Sequence, residues 1–192
     1  MDKSLQRMAL IDNDEQLAGI YNSDYINTDG NEIHKTAIIH DNVRLGKGNI
    51  IGAHSVIGSN GEMRKPKYFK GTVRGFQQSF KGLVIIGDNN VISELVTIQC
   101  PKAEGSVTSI GNDNIIMAHS HVGHDVKIGN ECEICTGTIL GGYANILDGA
   151  VIKLGCTIRN RVTVGIDSLV GMGSVVVKDV ADGATVYGNP AK

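Results

Sequence analysis

From Ile110 to Ile128 the chain reads Ile110-Gly111-Asn112-Asp113-Asn114-Ile115-Ile116-Met117-Ala118-His119-Ser120-His121-Val122-Gly123-His124-Asp125-Val126-Lys127-Ile128. Within it Ile110, Ile116, Val122 and Ile128 stand six residues apart. The same step continues through Ile134, Leu140, Ile146, Ile152, Ile158, Val164, Val170 and Val176, and all twelve positions are Ile, Leu or Val. Two residues before the rung the side chain is nearly always small, as at Ser120, Val126, Cys132, Thr138, Ala144, Ala150, Cys156, Val162, Ser168 and Ser174. Towards the N-terminus the period returns in Ile33, Ile39, Leu45, Ile51 and Ile57, and again in Ile86, Ile92 and Ile98. A helix cannot use such a period, because six steps of about 100° turn each rung away from the one before. A strand can, since residues two apart share a face and the rung and its small neighbour both point inward. Gly, Asn and Asp fall between the short strands, where a turn is required (Gly111-Asn112-Asp113-Asn114, Gly129-Asn130, Gly141-Gly142). Three strands and three turns make one triangular coil of eighteen residues, and coils stack at about 4.8 Å.

Composition agrees with a narrow core. Gly reaches 25 residues, Trp is absent, and aromatic residues make up only 4% of the 192. The expected fold is all-β: a single-stranded parallel β-helix shaped as a triangular prism over 33–178, with 1–32 as an N-terminal cap and 179–192 as a tail. The net charge of −2 demands neither nucleic acid nor a membrane surface. No 18-residue apolar run and no signal-peptide core occur, so no membrane span is expected and the cytoplasm is the expected location. The four cysteines, Cys100, Cys132, Cys135 and Cys156, lack the spacing of a disulfide frame or a zinc ribbon and read as reduced thiols.

The ladder breaks twice. Ile57 to Ile86 is not a multiple of six, so an excursion leaves the coil over about 58–85. It holds all three phenylalanines, Tyr68, and the basic residues Arg64, Lys65, Lys67, Lys70, Arg74 and Lys81 against a single acid, Glu62. Such a loop suits phosphate groups, or else is a solvated basic loop pinned by its rings. Ile98 to Ile110 is twelve, so register survives, but Glu104 takes the expected rung and the stretch is expected to bulge outward.

Val122 is a rung, so His119 and His121 face outward and His124 takes the following corner. Imidazole is the side chain whose charge changes nearest neutral pH, which suits a general base. One coil on, Gly141-Gly142-Tyr143 stacks beside it, and a backbone N–H there can face a developing oxyanion.

Ile110-Gly111-Asn112-Asp113-Asn114 leading into His121-x-x-His124-Asp125, with Val96-Thr97-Ile98 and Ile86-Gly87-Asp88-Asn89-Asn90, resembles the lipid A-type UDP-N-acetylglucosamine acyltransferases of the hexapeptide-repeat family, over about 38–176. The resemblance implies left-handed winding, which handedness rules alone would not give. It also implies a homotrimer with sites between subunits, His124 as general base, His121 beside it, Gly142 as oxyanion donor and Lys67 as a substrate contact. Tyr143 and Arg159 stand where that family has histidines; with Asp125 they are taken as acceptor contacts. The ending, Val177-Lys178-Asp179 to Gly188-Asn189-Pro190-Ala191-Lys192, resembles acetyl-coenzyme A-dependent hexapeptide transferases. The expected reaction is therefore transfer of an acyl group, acetyl in the first instance, from a coenzyme A thioester to an amino or hydroxyl group of a nucleotide-linked sugar, without a metal. Acyl-carrier-protein-dependent transfer of the lipid A type is the alternative. Two further readings stay open: a metal enzyme resembling the γ-carbonic anhydrases through His119-x-His121-x-x-His124, and a non-catalytic scaffold.

Overall fold

A computed structural model describes residues 24–60 and 82–192. Every regular element among them is a short strand, and all but one of the pairings between named strands are parallel. They wind into a left-handed parallel β-helix with three flat faces. Face one stacks Ile33, Ile51, Ile92, Ile116, Ile134, Ile152, Val170 and Val186 in register. Face two stacks Ile39, Ile57, Ile98, Val122, Leu140, Ile158 and Val176. Face three stacks Leu45, Ile86, Ile110, Ile128, Ile146 and Val164, and an isolated bridge joins Val164 to Val180. The three columns meet in one buried cluster along the prism axis.

The small inward position has a polar use that periodicity alone does not reveal. On face one it is filled by Asn31, Asn49, Asn90 and Asn114, all buried. Each Oδ1 accepts from the next coil's backbone N–H and amide Nδ2, as in Asn114 to Asn90 at 3.0 and 2.9 Å. The chain of amides ends where Cys132 N–H donates to Asn114 Oδ1 (2.8 Å). Buried amides are tolerated because every oxygen in the ladder has a partner, and aligned bonds polarise one another.

All four cysteines are buried and unbridged. Burial pushes the Cys132 and Cys135 thiols up to about 11. Cys135, which the six-residue pattern does not account for, donates to Glu133 Oε1 (3.1 Å), and Lys153 holds the same oxygen (3.2 Å).

At the N-terminal end Tyr25–Thr28 pairs antiparallel with Asn31–His34, adding a strand to the open edge of face one; an edge covered in this way no longer templates further pairing. The rest of the expected cap, 1–23, lies outside the described residues. At the other end the coil continues beyond 178: Thr185–Val186 pairs with Leu169–Val170, and Ala191 N–H donates to Val175 O (2.9 Å). No helix among the described residues is long and apolar enough to cross a membrane.

Both interruptions fall at one corner, between faces two and three. The first lies between Val56–Ser59 and Leu83–Ile86, and its residues 61–81, with Lys67, Tyr68 and the phenylalanines, lie outside the described residues. The second lies between Thr97–Gln99 and Val107–Ile110. Glu104 therefore occupies no rung: face two passes directly to face three, and the six extra residues form a loop at the corner.

The register makes a sharp prediction. Ile86 is 1% exposed and its neighbour Ile85 is 40% exposed on the outer side of the same strand of face three. Ile86→Ala should cost about 3 kcal/mol, whereas Ile85→Ala should cost under about 0.5 kcal/mol. Paired thermal or denaturant melts read this, and equal costs would contradict the register.

Candidate active site

The corner that carries the two interruptions is where His124 sits, in the next coil. Its side chain is 9% exposed. His124 Nδ1 lies 2.9 Å from Asp125 Oδ2. Asp125 is fixed in turn: its N–H donates to the buried Thr108 Oγ1 (2.8 Å), and Lys102 N–H donates to Oδ2 (3.1 Å). Thr108 lies on face three and Lys102 in the six-residue loop, so the bulge that breaks the ladder helps hold the carboxylate beside the imidazole. With Nδ1–H directed at the carboxylate, Nε2 is left as the proton acceptor.

One coil further on, Gly142 lies against the imidazole. A β-carbon there would overlap His124 Cε1 and Nε2, so glycine makes the seat for the ring. Gly142 N–H makes no hydrogen bond within the described residues. Tyr143 N–H donates to His124 O (3.0 Å), and the two rings meet edge to face at 5.1 Å and 82°. One further coil on, the Arg161 guanidinium covers the Tyr143 ring at 4.3 Å.

The backbone at this corner is under a common constraint. Asp125, Tyr143 and Arg161 all take left-handed φ, at 60°, 63° and 65°. That conformation costs a residue with a side chain about 1 kcal/mol or more, a cost glycine avoids. The corner between faces one and two takes the same φ at His54, Leu95 and His119 and then at Gly137, Gly155 and Gly173.

The residues expected at the site therefore divide. His124, Asp125, Gly142 and Tyr143 are brought together, with Asp125 turned to the imidazole. His121 stands on face two, half-buried, its Nδ1 2.7 Å from Thr97 Oγ1. His119 is exposed at the preceding corner. Arg159 reaches along the prism to Val177 O (3.5 Å). Lys67 lies outside the described residues. Among the described residues no three His, Cys, Asp or Glu side chains converge. The arginine that does join the group is Arg161, and the signal for it was in the chain: Asp125, Tyr143 and Arg161 are eighteen apart, one per coil.

The family profile for bacterial transferase hexapeptide (six repeats) matches residues 108–142. An acyl-[acyl-carrier-protein]–UDP-N-acetylglucosamine O-acyltransferase of Pseudomonas paraeruginosa is 41% identical over 110 residues, covering 57% of this chain and 43% of the relative. The chain thus matches less than half the length of such curated relatives. A UDP-N-acetylglucosamine acyltransferase structure from Bacteroides fragilis superposes with a TM-score of 0.73 at 31% identity, over 85% of this chain and 60% of that one. The corresponding enzyme of Francisella novicida gives 0.59 at 28%, over 83% and 66%. Resemblance to hexapeptide-repeat acyltransferases is thus found in both sequence and fold.

One expectation is overturned. The curated relatives are named for an acyl-carrier-protein donor, so a coenzyme A thioester is the wrong donor to infer. Gly188–Lys192, the segment that carried the likeness to coenzyme A-dependent transferases, hydrogen-bonds to Val175, three coils from that of His124, and to Tyr187.

Gly142→Ala should displace the imidazole while leaving the fold intact, because Gly142 does not need a left-handed φ. The expected readout is a changed His124 ring environment by NMR, with a melting temperature within a few degrees of the parent, about 1 kcal/mol. An unmoved ring signal would contradict the packing.

Proposed function

We propose that this protein is an acyltransferase that moves an acyl group from the thioester of an acyl-carrier protein to a hydroxyl of UDP-N-acetylglucosamine or a closely similar nucleotide sugar. The observation that carries the reading is the buried His124–Asp125 pair seated on Gly142. The names of the relatives support the donor and the acceptor.

His124 Nε2 takes the proton from the sugar hydroxyl as its oxygen attacks the thioester carbonyl carbon. Asp125 orients the ring and stabilises the imidazolium that forms. The carbonyl oxygen gains negative charge in the tetrahedral intermediate, where Gly142 N–H is the donor available to it. Collapse expels the thiolate, which recovers the proton from His124 and leaves the ester on the sugar and a free thiol on the carrier. The chemistry needs no metal. His121, held by Thr97 on the flat face next to the corner, is an acceptor contact, as is Tyr143. Both substrates belong to the cytoplasm, which is the location this reading assigns.

With a purified acyl-carrier thioester and UDP-N-acetylglucosamine, His124→Ala should lower kcat about 10²–10⁴-fold. Asp125→Asn should lose a smaller factor, about 10-fold or more, since the ring keeps its place but loses its charged partner. Wild-type turnover in His124→Ala would reject the mechanism.

A trimer is the assembly this reading requires. Faces one and two present flat strands with exposed Ile50, Ile115, Ile38 and Ile139, and the corner between them adds Leu95, Leu154 and Met172. Three prisms packed through such surfaces would bury them and wall the His124 corner with a neighbouring subunit. Sedimentation at micromolar concentration should give a trimer; a monomer would contradict this.

A further inference from the structure

We propose that Arg161 is a phosphate-binding residue of the cleft, mounted on Tyr143, and that it holds the phosphate of a substrate whose reacting atom lies at His124. The inference rests on His124 as the base and extends it to how the substrate is gripped.

Three observations converge on Arg161. Its guanidinium carbon lies over the Tyr143 ring, 4.3 Å from the centroid, and the same ring meets the His124 imidazole edge to face. A guanidinium held on an aromatic ring keeps N–H groups available for bidentate phosphate contacts. Arg161 is exposed and forms no ion pair among the described residues. Its backbone takes the same left-handed φ as Asp125 and Tyr143 in the two preceding coils, which stacks the three residues in one column at this corner.

Charge around the prism points the same way. Beyond the His124–Asp125 pair this corner presents three cations, Arg159, Arg161 and Lys178, against one carboxylate, Asp179, which accepts from Thr163 N–H (2.8 Å). The corner between faces three and one carries Asp113, Glu131, Asp148 and Asp167. An anion is therefore turned away from one corner and drawn to the other. Two coil spacings separate His124 from Arg161, about 10 Å, a span bridged by a sugar ring and the phosphate it bears.

Two substrates of the proposed reaction carry phosphate: the diphosphate of the nucleotide sugar and the phosphodiester of the carrier's pantetheine arm. Arg161→Gln should raise KM for one of them roughly tenfold while kcat changes less than about threefold, the pattern of lost uniform binding. A rise for UDP-N-acetylglucosamine assigns the diphosphate, and a rise for the acyl-carrier thioester assigns the pantetheine arm. Tyr143→Leu removes the ring beneath the guanidinium and should weaken pyrophosphate binding with Arg161 still present. Titration of the full chain with inorganic pyrophosphate, followed by NMR, tests the site apart from turnover. Binding by the parent that Arg161→Gln loses supports the proposal even where no acyl transfer is found, in which case only the acyltransferase reading falls. Failure of the parent to bind pyrophosphate, or equal binding and equal KM values in parent and Arg161→Gln, overturns it.

Discussion

Parallel pairing between coils eighteen residues apart is the constraint on which the molecule depends. Each short strand exchanges its backbone hydrogen bonds with the coils before and after it, so every coil must present its rung at the same height and on the same side. A slip of one residue would turn an aliphatic rung to solvent and an outward side chain to the axis. The axis is too narrow for rings, which is why Ile, Val and Leu fill the columns and Cys100, Cys132, Cys156, Ala and Ser fill spaces between them. The asparagine ladder obeys the same rule in polar form, each amide reaching only the coil beside it.

Because the faces tolerate no insertion, extra residues must be accommodated at corners, and both interruptions use the same one. The six-residue loop returns to the coil with its Lys102 amide on the Asp125 carboxylate. A deviation from the repeat thus becomes part of what holds the imidazole. Residues eighteen apart at that corner, Asp125, Tyr143 and Arg161, then form a column by the same stacking that builds the core, and a cation is brought to the aromatic ring beside the base. Repetition supplies the scaffold, and departures from repetition at one corner supply the chemistry.

The donor shows how a local likeness can mislead. Gly188–Lys192 resembles the ending of coenzyme A-dependent transferases, but its contacts are with the final coils.

The amino-acid sequence alone determined the period, the rungs from Ile33 to Val176 and the inward place of Cys132 and Cys156, because strand alternation and a fixed coil length leave few ways to bury them. It also singled out His124 and Gly142, one coil apart. Tertiary structure alone decided that Asp125 serves the imidazole, since its partners Lys102 and Thr108 arrive from a loop and from another face. It alone turned Asn31, Asn49, Asn90 and Asn114 into one ladder, since the excursion shifts their numbering out of a simple repeat. It also put Arg161 on Tyr143 while Arg159 runs to Val177: two residues' difference in a corner redirects a side chain, and that direction is set by the left-handed turn, which composition and period do not reveal.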